Sequence, residues 1–365
     1  MATTSTLTEP VRWDDDRHAY VVTGFDEASE VLRGSGWSSD PARNPHAPQV
    51  LKALPPSVLL FLDPPDHTRL RRLVAPAFTP RALDRLRPRV VAVVDAVLDG
   101  LFADGPETDL MEEVAYLIPL AVIAEMLDVG VEGAEVFRAE TPGLVRMLEF
   151  DAGVHDLERS VAAAQEVTMF LLPLVTERMR APGDDFISGL AAAGMTAEEM
   201  VGMCVLLLAG GHETTANLIG TGTLALLSRP EQVPALHGDP ARAVEELLRL
   251  EGPVKLAARF AVADHELGGR RIEAGSQLIL DLREINRDPR RFPDPARLDL
   301  TREPLPHLAF GAGHHFCLGA GLARMEAAET LPRLFGRFPD LRVAGEPRWR
   351  DSTTFHGLDE LPVHA

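Results

Sequence analysis

The sequence predicts a mainly α-helical fold carrying small β-sheets, and three observations predict it. From Ala82 to about Leu190, apolar residues recur at three- and four-residue spacing, as in helices with one buried face. Thr196-Ala197-Glu198-Glu199 is a capping box that opens a long apolar helix running to about Ser228, where Arg229-Pro230 stops it. Short strand signals stand to either side, at Ala19-Tyr20-Val21-Val22 and around the turn Leu267-Gly268-Gly269-Arg270-Arg271-Ile272. No internal repeat and no linker divides the 365 residues, so a single domain is expected over 1–365. Its β-rich flank falls at about 13–60 and its helical core at about 64–250.

A hydrophobic content of 45% supplies material for a large core. No apolar run is long enough to span a bilayer, and the start Met1-Ala2-Thr3-Thr4-Ser5 lacks a basic, apolar leader, so a cytoplasmic protein without membrane attachment is expected. A formal charge of −19 argues against binding nucleic acid or anionic membrane. Cys204 and Cys317 are too far apart to suggest a disulfide framework or zinc cluster, and Cys204, inside an apolar helical run, reads as a small core residue. Arginine outnumbers lysine, with Lys52 and Lys255 the two lysines, a bias that hints at a GC-rich bacterial genome.

In chain order, the strand at 19–22 leads through Thr23-Gly24-Phe25-Asp26 into a helix ending near Gly34. Residues 41–62 are proline-rich with an apolar patch at 58–62, and read as an irregular loop. In Asp63-Pro64-Pro65-Asp66-His67-Thr68-Arg69-Leu70-Arg71-Arg72 the prolines and acid mark a helix start. The spacing of four puts His67 and Arg71 on one face, either a solvated basic face or a site for paired carboxylates. The helices up to Leu190 break near Gly105-Pro106, Gly130, Pro142 and Pro182-Gly183.

The long helix from Thr196 spans roughly 48 Å and holds Ala209-Gly210-Gly211-His212-Glu213-Thr214-Thr215 at its middle. Each glycine costs about 1 kcal/mol relative to alanine, and an acid in an apolar helix costs more without a partner. This is a kink with a solvated acid, or a place where a bulky flat ligand approaches the backbone. Further on, Glu246 and Arg249 lie three apart on one helical face. Phe310-Gly311-Ala312-Gly313-His314-His315-Phe316-Cys317-Leu318-Gly319 is a glycine-punctuated loop running into the helix Ala320–Ala327. Cys317 there is a buried structural cysteine or a thiolate stabilised by helix-start N–H groups and suited to an open-faced metal such as haem iron.

The loop at 310–319 resembles the haem-binding signature of the cytochrome P450 family, Phe-Gly-x-Gly-x-His-x-Cys-x-Gly, at every fixed position. Three further stretches resemble family motifs in the expected order: His67-Thr68-x-x-Arg71-Arg72, Gly211-x-Glu213-Thr214-Thr215 and Glu246-x-x-Arg249. The resemblance runs from about Tyr20 to Val363. It implies a cytochrome P450 fold with haem b between the long helix and the loop, its iron ligated by Cys317. It implies propionate contacts from His67, Arg71, Arg259 and His315, close backbone approach at Gly210 and Gly211, amides at Leu318 and Gly319 near the sulfur, and packing by Phe310. Thr214 would assist oxygen activation and Glu213 would relay protons, a general acid/base role. Arg297 would complete a structural trio with Glu246 and Arg249.

By the same resemblance, pocket positions fall at Leu59, Val145, Leu148, Val254, Lys255 and Phe355, although core packing explains Val145 and Leu148 equally well. Lys255 either meets a substrate carboxylate or faces outward. The C-terminal stretch from Trp349 to Val363 resembles the family's last hairpin, with its turn at Thr353-Thr354-Phe355. The residues before Trp13 are too few for the extra helix that bacterial members usually carry, and the lid loop is short. The implied activity is a monooxygenase that puts one oxygen atom of O2 into a small organic substrate, typically by hydroxylation in bacterial secondary metabolism. Oxidative coupling, epoxidation or desaturation are alternatives; a non-catalytic haem protein would be expected to have lost Cys317 or the acid–alcohol pair. Electrons would come from a separate ferredoxin and ferredoxin reductase, docking on a face where Arg71, Arg72 and Arg324 are the candidate cations.

Overall fold

The computed structural model describes residues 9–43, 58–150 and 152–365. Most of the proline-rich lid loop, residues 44–57 with Lys52, lies outside them. The helices are α1 (Phe25–Arg33), α2 (Asp66–Val74), α3 (Pro80–Gly100), α4 (Leu117–Leu127), α5 (Gly130–Arg146), α6 (Val154–Arg180) and α7 (Phe186–Ala192). They continue with α8 (Ala197–Leu227), α9 (Val233–Gly238), α10 (Pro240–Glu251), α11 (Leu282–Ile285) and α12 (Ala320–Arg337).

Local chemistry explains their starts. The Thr196 hydroxyl accepts from Glu199 N while Glu199 accepts from Thr196 N, closing the expected capping box on α8. Asp239 caps α10 and Thr79 caps α3, each followed by proline at the first helical position, where its missing N–H costs nothing. Three of the four expected breaks fall between helices. Pro142 does not: α5 runs through it to Arg146. The bond lost there is outweighed by a face that buries Phe137, Thr141, Leu144 and Val145.

The strands are β1 (Val11–Asp14), β2 (Ala19–Val22), β3 (Trp37–Ser38), β4 (Glu107–Asp109), β5 (Leu256–Ala261), β6 (His265–Leu267), β7 (Arg270–Ile272) and β8 (Gln277–Asp281). Four more close the chain: β9 (Arg342–Val343), β10 (Arg348–Trp349), β11 (Leu358–Glu360) and β12 (Pro362–His364). The main sheet has the order β1-β2-β8-β5-β3. In it β2 runs parallel to β8, with Tyr20 opposite Leu278, and β5 antiparallel to β8, with Arg259 opposite Leu278. The turn at Gly268-Gly269 joins β6 to β7, as expected. The C-terminal hairpin β10–β11 forms, and the chain then carries on into β12, which lies between β4 and β9.

α8 organises the interior. Its apolar surface continues round the helix, so it is buried along most of its length. Its first half, with Met200, Leu208 and Ala209, packs with Leu70 and Val74 of α2 and with α4 to α7. Its second half, with Ala216 and Ile219, packs with α3, α12 and the C-terminal strands. The stretch Gly210–Thr214 lies between these two packing zones. Cys204 is a buried member of the first, as expected of a small core residue.

Candidate active site

The loop before α12 is shaped by its glycines. Gly313 has φ +69°, and a Cβ there would stand 2.1 Å from the Leu32 carbonyl oxygen, so glycine is required where the loop presses on α1. The Cys317 N–H donates to Phe310 O at 2.9 Å, closing the loop on itself. The Arg324 guanidinium lies 4.5 Å from the centre of the Phe310 ring and holds that ring in place. Cys317 is exposed to solvent although protein surrounds it on most sides. Enclosure pushes its thiol up, while the N–H groups of Gly319 and Ala320 and the charges of Arg71 and Arg324 pull it toward the thiolate. A ligand cation would add to that pull.

Beside this loop, donors and cations converge with little to receive them. His67 is buried, its ring 4.1 Å from that of His315 and 5.3 Å from that of His314. Both ring nitrogens of His67, and Nε2 of His315, lack hydrogen-bond partners. Burial, reinforced by neighbouring positive groups, drives His67 down to about 4 and His315 to about 2, so both rings are neutral at pH 7. Arg259 donates to the adjacent Ala258 O, and burial lowers it to about 10. Arg71 reaches Phe316 O at 2.5 Å. Asp63 bears on this group, but its carboxylate already serves Ser38, Ser39 and Arg43. Such a set is unsatisfied in itself and complementary to a ligand carrying paired anionic groups.

The residues of α8 are divided between two sides. A Cβ on Gly210 would meet nothing within 4 Å, and Thr214, one turn later, donates its hydroxyl to Gly210 O at 2.8 Å. A flat ligand can approach the backbone there. Gly211 differs from expectation: a Cβ on it would stand 3.2 Å from Ile123 of α4, so its lack of side chain serves helix packing. Glu213 is buried and paired with Arg350, with Asn217 Nδ2 donating to the same oxygen at 3.2 Å. Burial pushes the Glu213 carboxyl up, and Arg350 and Asn217 hold it down. His212, also buried, meets Tyr116 O at 2.9 Å and is lowered to about 4 by burial.

The framework pair forms, but with a different third partner. Arg249 donates to both oxygens of Glu246, at 2.7 and 2.9 Å, and both side chains are buried. The third side chain is Arg302, 3.0 Å from Glu246. Arg297 contributes its backbone carbonyl to Arg249 and Arg302, while its own guanidinium is two-thirds exposed beside Asp299. Asp299 N donates to the same Glu246 oxygen at 3.1 Å, so the loop wraps the acid and brings the Arg302 side chain, five residues past Arg297, onto it. Arg324 is also reassigned. It is bound to Glu245 at 2.5 and 3.0 Å, and Glu245, although raised by burial, is held at about 2 by His307 and Arg324. It is therefore not a free docking cation, whereas Arg72 is exposed.

The expected pocket residues fall into two groups. Leu59 and Leu148 pack on the apolar zone that also holds Leu208, Ala209 and Leu318, beside Cys317; Val145 is buried on α5. Val254 pairs with buried Phe355 across a β-bridge. Lys255 neither faces outward nor stands free for a substrate carboxylate, because its ammonium donates to Ser352 O. The turn carrying Phe355 is fastened to the segment just after α5: Glu149 accepts from the Ser352 hydroxyl at 2.6 Å and Thr354 N at 3.1 Å, and Phe150 N donates to Thr354 Oγ1 at 2.9 Å. Sequence reasoning passed over Glu149, Arg302 and Arg350, because each is defined by a partner far away in the chain.

Comparison with known proteins gives the family. The cytochrome P450 family profile matches residues 241–349. The chain is 40% identical over 369 residues to the cytochrome P450 monooxygenase PikC of Streptomyces venezuelae, covering 97% of this chain and 86% of PikC. It is 37% identical over 371 residues to 6-deoxyerythronolide B hydroxylase of Saccharopolyspora erythraea, covering 94% and 90% of the two chains. Among solved structures, P450BioI in complex with an acyl carrier protein ligated to hexadec-9Z-enoic acid superposes with a TM-score of 0.91 at 35% identity, covering 97% of this chain and 95% of that one. Similar along nearly its whole length in sequence and in fold, the chain belongs to the cytochrome P450 family and is a monooxygenase of the bacterial type.

Proposed function

We propose that Cys317 Sγ ligates the iron of haem b, that His67, Arg71, Arg259 and His315 hold its propionates, and that Glu213 and Thr214 handle protons on the opposite side. The observation that carries this reading is the unpartnered donor set around His67, which stands against the loop of an exposed cysteine, with Arg71 reaching Phe316 O and acting on the Cys317 thiol. When bound, the haem supplies the oxygen-activating redox chemistry of the family. The residues then divide the remaining work. The N–H groups of Gly319 and Ala320 stabilise charge on Sγ. The Thr214 hydroxyl, held now by Gly210 O, is positioned to turn its proton toward a ligand lying over Gly210. Glu213 takes up and returns a proton at its carboxylate, its burial raising the proton affinity that this task needs.

The apolar residues Leu59, Leu148, Val254 and Phe355 suit a small, largely apolar organic substrate. Hydroxylation is the favoured outcome, in keeping with relatives that are named hydroxylases, among them a vitamin D(3) 25-hydroxylase of Pseudonocardia autotrophica at 41% identity. Electrons arrive from separate redox proteins, a ferredoxin and its reductase, with exposed Arg72 as a candidate contact. No helix among the described residues is long and apolar enough to cross a membrane.

The test is the carbon monoxide difference spectrum of the reduced, haem-loaded protein. A thiolate-type band is expected in the wild type and its loss in Cys317→Ala. A histidine-type band from folded wild-type protein would overturn the assignment.

A further inference from the structure

Glu213 does not sit alone. Arg350, between β10 and the turn at Ser352–Phe355, spends all three guanidinium nitrogens at this point. Nη1 donates to Glu213 Oε1, Nη2 to the Tyr116 hydroxyl at 2.9 Å, and Nε to Asp359 Oδ1 at 3.1 Å. Tyr116 in turn donates its hydroxyl to Leu358 O at 3.1 Å. The Arg350 N–H is fixed to Gly357 O at 3.0 Å, and a Cβ on Gly357 would stand 2.0 Å from Asn217 Oδ1. The hairpin backbone is thus pressed against the same face of α8 that carries Glu213 and Asn217. Thr214, whose hydroxyl goes to Gly210 O, belongs to another face.

We propose that Arg350 is a positioning residue for Glu213, holding its carboxylate charged and turned to the C-terminal hairpin, so that the acid must leave Arg350 before it can serve the Thr214 side. This rests on the proton role proposed for Glu213. The groups that face the carboxylate are Arg350 and Asp359 from the hairpin, Tyr116 from the turn before α4, and Asn217 and the neutral His212 from α8 itself. Arg350 favours the ionised acid; Asp359, about a third exposed, works against it and links the cluster to solvent. Arginine cannot release its own proton, so its part is to orient and tune, not to relay.

The experiment follows the Glu213 carboxyl by infrared titration in the haem-loaded protein, its band assigned by its loss in Glu213→Gln, alongside product formed per reductant consumed across pH. Arg350→Met is expected to move the Glu213 titration upward by roughly one to three pH units, and the pH limb of coupling with it. Arg350→Lys should keep most of the wild-type position, and Asp359→Asn should move it downward. If Arg350→Met leaves the titration in place while Glu213→Gln uncouples, the inference is overturned and the role of Glu213 stands. If Glu213→Gln leaves coupling intact, the role of Glu213 falls, while the infrared shift still reports on Arg350. Should Arg350→Met fail to fold, Arg350→Gln takes its place with the same upward shift expected, and an unmoved Glu213 titration in Arg350→Gln overturns the inference.

Discussion

His67 is 1% exposed with both ring nitrogens unpaired, an arrangement that costs the folded chain stability unless a ligand answers it. Leaving such a group unsatisfied costs about 1–3 kcal/mol, which gives a substitution two opposite effects. His67→Leu should raise the thermal midpoint of the haem-free protein and speed transfer of haem to a scavenging globin. A variant that melts lower yet retains haem as firmly as the wild type would contradict the propionate role. Acid acts through the same ring. Because its folded pKa is depressed to about 4, the stability tied to the neutral ring is intact above about 6.5 and is lost as pH falls toward 4. At this scale the sequence offers candidates wherever one residue type has no substitute, and the proposed site is built on them: Cys317, His67, Arg71 and the acid–alcohol pair at 213–214. Arg350 is not among them, since its partner stands 137 residues away and no local spacing connects the two.

α12 illustrates what an element conceals. It begins at Ala320, as the loop-to-helix pattern predicts, and packs with α3, α8 and α10. Within it Glu326 is buried, its Oε2 unpaired, and burial raises it to about 8. The unfolded chain gives up this proton near 4.3, whereas the folded chain holds it to about 8. Stability therefore declines as pH rises through that window, by at most about 1.4 kcal/mol per unit, and levels off above it. Glu326→Gln should flatten this slope in thermal unfolding measured from pH 5 to 9; an unchanged slope would assign the proton elsewhere. The helix was readable from its periodicity, but an acid inside it reads as a solvent-facing position until the packing on each side is known. Pro142 carried the reverse misreading: a helix breaker by its chemistry, it is overruled by the buried face of α5.

For the whole molecule, the trio of buried Glu246 and Arg249 with half-buried Arg302 ties α10 to the loop at 293–302. Removing one member leaves an uncompensated charge, so Arg302→Ala should lose about 3–5 kcal/mol in denaturant unfolding. Arg297→Ala, which keeps the carbonyl that matters, should stay within about 0.5 kcal/mol. Equal losses would restore Arg297 to the trio. The fold class and the order of the long helices were legible because they follow from apolar periodicity over many residues. The third partner was not, because two arginines five positions apart in an irregular loop are equivalent until the loop is folded. The same remoteness governs how the chain is made. β12 is the middle strand of its sheet, and Leu361 N donates to Asp109 Oδ1 at 2.8 Å, 252 positions away in the chain. On the ribosome, β4 must wait for the chain to reach β12 before it finds its neighbour, and β2 likewise waits for β8. A chain cut short after α12 would carry the Cys317 loop intact and still lack the hairpin that closes over Glu213.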